Sequence, residues 1–308
     1  MALLWAANHL VAGASGLAIR FKLSPLITGL TVVALGTTAP EIAISILSAL
    51  KDKNDLAIGN AIGSNIANIG LVLGITILLR PTTINYTTLK KAYPILIITM
   101  LFAYSLILDG YLGKTDGCIL LIGCIAVMSF FIYMASRSPQ KDPYYTKFKS
   151  AVTLSRSLGT NMLSIALGLV ILPISAKYII FSSVAIAQWC GVSELTTGLT
   201  IIALGTSLPE LATSITAALK SEEEIAIGTI LGSNIYNLLL IIAFPAIINP
   251  AKINTIVLWR DMPVLLALTV LLMFLNFHYK RKLSPWHGGI LVLVYCSYII
   301  SLILKAHN

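Results

Sequence analysis

Residues 117 to 135, GCILLIGCIAVMSFFIYMA, run for 19 positions without a charged side chain, and comparable runs recur along the whole 308-residue chain. About 20 residues of helix cross a hydrocarbon core. No water is available at that depth, so each backbone N–H and C=O must be satisfied inside the spanning element, which leaves helices or a closed barrel. A barrel would show segments of about ten residues alternating apolar and polar. These runs are apolar on every face. The sequence therefore predicts an all-α, polytopic membrane protein, in keeping with 57% hydrophobic residues, 11% charged residues and a mean hydropathy of +0.90.

Ten transmembrane helices are expected, near residues 2–19, 26–50, 56–79, 92–109, 117–135, 158–188, 195–219, 225–248, 262–277 and 286–304. The opening MALLWAANH has neither a basic n-region nor a small-residue cleavage site, so the first span is expected to stay in the mature protein. A net charge of +9 raises nucleic acid as a partner, but the distribution of the charge points elsewhere. With the first span running inward, alternate loops hold 14 of the 21 Lys and Arg, from Arg20 and Lys22 through Arg137 and Lys141 to Lys280, Arg281 and Lys282. That is the positive-inside bias; it places a multi-pass protein in the cell membrane with both termini extracytoplasmic and argues against a nucleic-acid site. Cys118, Cys124, Cys190 and Cys296 have no paired or metal-ligand spacing and read as small apolar packing residues. Of the four histidines, His278, His287 and His307 sit at span ends or in the tail, and His9 alone lies within a predicted span.

Part of the chain is written twice. TGLTVVALGTTAPEIAISILSALKDKNDLAIGNAIGSNIAN at 28–68 aligns without a gap to TGLTIIALGTSLPELATSITAALKSEEEIAIGTILGSNIYN at 197–237, with 24 identities in 41 positions at a constant offset of 169. Such self-similarity identifies two homologous halves. Five predicted spans separate equivalent points, and an odd number makes the second copy enter from the opposite side of the membrane. The expected architecture is thus two inverted five-helix repeats, 1–135 and 158–308, joined by a cytoplasmic linker at 136–157, with a site near mid-depth where they meet. The repeated motifs extend over 28–74 and 197–243. Met1 aligns with Val170, although the apolar run of the second copy already begins near Leu158. The first helix therefore looks about ten residues shorter than its partner; either it is stunted or the true start lies upstream.

Each repeat contains a helix-breaking run, ALGTTAPE at 34–41 and ALGTSLPE at 203–210. Proline removes one helical hydrogen bond and clashes with the carbonyl four residues earlier, here Gly36 and Gly205. A carbonyl loosened in this way is tolerated at membrane depth only where protein or a hydrated cavity satisfies it, so the breaks should line a site. Of 12 Asp and Glu, only Glu41 and Glu210 lie well inside predicted spans. A charge at the bilayer centre costs roughly 2.5–3.5 kcal/mol on insertion scales. The neighbouring spans offer no Lys or Arg, which leaves a bound cation as the natural partner.

Thr37, Thr38 and Glu41 share a helix face, Thr206, Ser207 and Glu210 repeat the arrangement, and Ser64 with Asn68 and Ser233 with Asn237 are spaced four apart. This oxygen-only set suits hard cations such as Ca²⁺ and Na⁺, not zinc or copper. A single proline in such a helix is usually only a kink; two copies, each with a carboxylate and a companion Ser-x-x-x-Asn span, favour a site. Gly29, Gly59, Gly63 and Gly74 read as close helix packing.

GTTAPE with GNAIGSNIAN, and GTSLPE with GTILGSNIYN, resemble the two alpha-repeats of the calcium/cation antiporter superfamily, in its prokaryotic sodium/calcium exchanger branch. The resemblance covers nearly the whole chain. It implies a secondary antiporter, not an enzyme, that exchanges Ca²⁺ for Na⁺ by alternating access as the first span of each half slides against a fixed core. It also implies Glu41 and Glu210 as central Ca²⁺ ligands, oxygens from Thr37, Thr38, Thr206 and Ser207 and from the carbonyls of Ala34 and Ala203, and flanking Na⁺ sites completed by Ser64, Asn68, Ser233 and Asn237. Two departures stand out: potassium-dependent members and some prokaryotic ones carry Asp where this chain has Asn237, and the first span is short. The alternative is a Ca²⁺/H⁺ or other cation/proton antiporter, since both glutamates could take a proton when the metal leaves. A channel is disfavoured by the inverted halves, and an intramembrane hydrolase by the lack of an Asp pair. The expected partners are the ions and the lipid bilayer; no cofactor is expected, and the sequence does not identify protein partners.

Overall fold

The computed structural model describes residues 1–83, 86–136, 157–189, 203–278 and 282–306. Positions 137–156 of the expected linker at 136–157, the start of the span near 195, Cys190 and His307 lie outside these residues. The regular structure of the described residues is helical apart from four two-residue strands. Helix α1 is Ala2–Arg20. Pro25–Thr37 (α2) and Ala39–Ala49 (α3) form a pair bent by 45°, followed by Asn54–Leu79 (α4). Tyr86–Ile107 (α5), Lys114–Ser136 (α6) and Leu158–Trp189 (α7) follow. Ala203–Thr206 (α8) and Leu208–Leu219 (α9) precede Glu223–Ile248 (α10), and Met262–His278 (α11) and Pro285–Ala306 (α12) complete the order. Among the described residues, seven helices are long and apolar enough to cross a membrane, or eight with the bent pair counted as one span. The protein is a multi-pass membrane protein.

The strands clasp the loop ends together. Thr82–Thr83 (β1) pairs antiparallel with Lys282–Leu283 (β4), and Tyr111–Leu112 (β2) with Ala251–Lys252 (β3). Each clasp ties a loop of the first half to one of the second.

Helices α4 and α10 form the centre, with 72% and 94% of their most apolar windows buried, against 22% for α6 and 28% for α12. Helix α2 lies directly on α10, because glycine lets the two backbones meet. A Cβ at Gly29 would sit 2.5 Å from the Ile225 carbonyl, and one at Gly228 only 2.4 Å from that of Leu26. Gly74 is similarly close to α12, 3.0 Å from the Gly288 carbonyl, as the sequence predicts. Gly59 and Gly63 differ from that expectation, for no described atom lies within 4 Å of a Cβ built on either.

A large core runs through α2, α4, α5, α6, α10, α11 and α12. A second, smaller cluster joins α1 and α7 to Val33, Ala212, Ala217, Ile225 and Ala226 on the flank of that core. Helix α1 has 19 residues and α7 has 32, which bears out the expected difference in length.

Candidate ion site

The two proline breaks set the geometry. Pro40 stands at the second position of α3 and Pro209 at the second position of α9, where a missing N–H leaves no intrahelical bond unmade. The residue just before each new helix has nearly the same backbone, φ −77° and ψ −2° at Thr38, φ −85° and ψ 4° at Ser207. The chain thus restarts a helix inside the protein, and Glu41 and Glu210 fall in the first turn of the restarted helices. A helix N-terminus favours negative charge there.

Helices α4 and α10 supply the opposite wall. Each contains a π turn, Asn68–Val72 in α4 and Asn237–Ile241 in α10, and both π turns start on an asparagine of the predicted set. A single π turn inserts one residue into the helical ladder and re-aims the side chains around it; such turns are frequent at functional sites. The tight turns leading into α4 and α10 match as well, with left-handed Asp52 (φ 57°) and Ser221 (φ 64°) at equivalent positions.

The structure brings the predicted side chains together across the repeats. Thr37, Thr38, Glu41, Ser64, Asn68, Thr206, Ser207, Glu210, Ser233 and Asn237 are all buried. Ser233 Oγ of the second half lies 3.4 Å from Thr37 Oγ1, accepts a bond from Thr38 Oγ1 at 3.1 Å, and donates to Glu210 Oε1 at 3.4 Å. In the mirrored contact, Ser64 Oγ of the first half lies 3.4 Å from Thr206 Oγ1 of the second. The Ala34 carbonyl accepts the Thr38 N–H at 3.0 Å and the hydroxyls of Thr37 and Thr38 at 3.1 and 2.8 Å. Ala203 opens α8.

Several buried oxygens have no hydrogen-bond partner among the described residues: Glu41 Oε2, Glu210 Oε2, Asn68 Oδ1, Asn237 Oδ1 and Ser207 Oγ. Neither glutamate belongs to the described ion pairs, which are Arg80 with Glu223 and Arg260 with Asp261. A buried polar atom left unpaired costs about 1–3 kcal/mol, and more when charged. Oxygens with free lone pairs, two of them carboxylate, are what a dehydrated metal cation needs.

Sequence reasoning overlooked a second layer of amides. Asn237 Nδ2 donates to Asn65 Oδ1 at 2.9 Å, Asn65 Nδ2 donates to the Asn234 carbonyl at 3.2 Å, and Thr206 Oγ1 donates to Asn60 Oδ1 at 3.2 Å. Ser45 Oγ, donating to the Ile241 carbonyl at 2.8 Å, ties α3 to the π turn of α10. Asn65 and Asn234 were detectable as repeat-related identities one residue after the selected serines. Asn60 was not, because its repeat mate is Thr229.

Broken helices, two buried glutamates and a wall of neutral oxygens thus come together in the interior of a multi-pass membrane protein. The sodium/calcium exchanger protein family matches residues 1–136 and 160–304, and the chain belongs to that family. It is 38% identical over 298 residues to CaxA of Alkalimonas amylolytica, covering 96% of this chain and 93% of that protein. It is 36% identical over 291 residues to the inner membrane protein YrbG of Escherichia coli, covering 94% and 89%. The sodium-calcium exchanger NCX_Mj, in a structure soaked with 2.5 mM Na⁺ and 0.1 mM Ca²⁺, superposes with a TM-score of 0.83 at 28% identity over 97% of this chain and 95% of that one. The protein is thus a membrane transporter of the cation-antiporter kind.

Proposed function

We propose that the protein exchanges Ca²⁺ for Na⁺ by alternating access, through ten transmembrane helices arranged as two inverted repeats. The observation that carries this reading is the set of buried acceptors without partners, which includes one carboxylate oxygen from each repeat. In this reading Glu41 and Glu210 hold Ca²⁺ together, with the hydroxyls of Thr37, Thr38, Thr206 and Ser207. Ser64, Asn68, Ser233 and Asn237 complete the flanking positions for Na⁺. The carbonyls of Ala34 and Ala203 are secondary ligands.

Charge sets what the site can carry. Two carboxylates neutralise one Ca²⁺ or two Na⁺, so the two ions compete for the same negative charge, and competition for one site is the basis of exchange. A third Na⁺ would bind through neutral oxygens alone. The α1 and α7 cluster lies beside the main core and provides the elements that slide while the site helices stay fixed. Both termini face away from the cytoplasm in this arrangement, with the linker at 136–157 inside.

The test is Ca²⁺ uptake into proteoliposomes loaded with Na⁺. Uptake should follow the outward Na⁺ gradient and vanish when Na⁺ is replaced on both sides by an inert cation. If a pH gradient drives uptake equally well without Na⁺, the protein is the cation/proton antiporter of the competing reading.

A further inference from the structure

The ion-site helices of the two repeats differ at one polar position within an otherwise matched ladder. Asn60, Ser64 and Asn68 of α4 succeed one another at four-residue spacing, and their mates in α10 are Thr229, Ser233 and Asn237. Residues four apart share a helix face. In α4 the first two steps both reach the same hydroxyl: Thr206 Oγ1 is 3.4 Å from Ser64 Oγ and donates to Asn60 Oδ1 at 3.2 Å. In α10 the first step is missing. Thr229 Oγ1 donates back to the Ile225 carbonyl at 2.8 Å, and Thr37 instead donates to the Ala34 carbonyl at 3.1 Å.

A hydroxyl has one proton and two lone pairs. When the proton is bound to an acceptor set behind it, the lone pairs face the other way and can serve a cation. Asn60 is such an acceptor for Thr206, with a buried side chain whose Nδ2 has no partner among the described residues.

We propose that Asn60 is a positioning residue that fixes the orientation of the Thr206 hydroxyl and so tightens the hold of the shared ion site on Ca²⁺. This rests on the reading of Thr206 as a cation ligand. Asn60 touches the ligand, not the ion, so its loss should weaken binding without slowing the conformational cycle.

The experiment is Ca²⁺ self-exchange in proteoliposomes, which involves neither Na⁺ nor H⁺ as the driving ion. Loss of one orienting hydrogen bond in Asn60→Ala should raise half-saturating Ca²⁺ about three- to tenfold, with maximal rate within about twofold of the parent. Asn60→Asp can only accept and should keep half-saturation at or below the parent value. Thr206→Ala should weaken Ca²⁺ binding similarly, and the double variant should be no worse than the worse single one, as expected of two residues acting through one interaction. Should Asn60→Ala prove unstable, Asn60→Thr, which installs the residue of the other repeat, serves in its place with the same expected shift. Unchanged half-saturation in Asn60→Ala, or a loss confined to maximal rate, overturns the positioning role. Unchanged half-saturation in Thr206→Ala as well would show instead that the ligand assignment beneath it is wrong.

Discussion

Helix α1 has 19 residues and its counterpart α7 has 32, yet the helices around the ion site keep the same proline break, the same π turn and the same left-handed turn residue in both halves. In the proposed reading, symmetry is retained where one cation is gripped from both sides, since a misplaced ligand leaves a buried carboxylate uncompensated. A polar contact of α1 departs from this symmetry. The turn before α10 carries Glu222 where the turn before α4 carries Lys53, and the Glu222 carboxylate meets Ser15 of α1 at 2.5 Å.

The largest effect tests the symmetric part. Glu41→Gln and Glu210→Gln should each lower Ca²⁺ flux about 100-fold or more, because removing one charge of a buried set leaves the remaining ion uncompensated. Both variants should insert and purify normally, since a neutral amide is easier to bury. Strongly unequal losses would show that the repeats do not share one site.

Much of that site was readable from the chain. Proline cannot donate a helical hydrogen bond, so the breaks before α3 and α9 follow from Pro40 and Pro209 alone, and the ungapped repeat ties each break to a Ser-x-x-x-Asn span. The π turns at Asn68–Val72 and Asn237–Ile241 could not be read, because one inserted residue leaves no mark in an all-apolar pattern. The contact of Ser15 with Glu222 spans 207 residues and depends on how α1 lies against the core. The three hydrogen bonds that converge on the Ala34 carbonyl were also invisible, since sequence gives the direction of no hydroxyl.

A smaller effect tests the asymmetric part. Glu222 lies in the turn outside the spans, and burial pushes its carboxyl up to about 7, against the opposing pull of the Ser15 hydrogen bond and the Lys220 charge. Ser15 Oγ also faces the Val11 carbonyl at 2.8 Å, so its single proton cannot fully serve both acceptors when Glu222 is ionised. With the folded value raised above the ordinary 4.5, the stability gained from neutral Glu222 is fully present below 4.5 and is lost as pH rises through about 7. Between about pH 5.5 and pH 8.5, Tm of the detergent-solubilised protein should therefore fall about 2–4 °C further than that of Glu222→Gln. Parallel curves for the two proteins would remove Glu222 as a pH-sensitive tie on α1.

The smallest expected effect concerns monovalent ions. Asn68 and Asn237 are both neutral, so the site has no third carboxylate with which to recruit K⁺. Replacing all K⁺ with an inert cation should leave Na⁺-driven Ca²⁺ flux unchanged. Asn237→Asp should alter dependence on monovalent ions more than Ca²⁺ recognition. A strict K⁺ requirement in the parent protein would contradict the charge count.

Calcium binding to the purified protein, measured by isothermal titration calorimetry, tests most directly whether the two repeats hold one ion between them. The account predicts a single high-affinity Ca²⁺ per chain, displaced by Na⁺, and its loss in Glu41→Gln and in Glu210→Gln alike. Binding of two Ca²⁺ per chain, with one retained at full affinity in each single variant, would show two independent sites and contradict it.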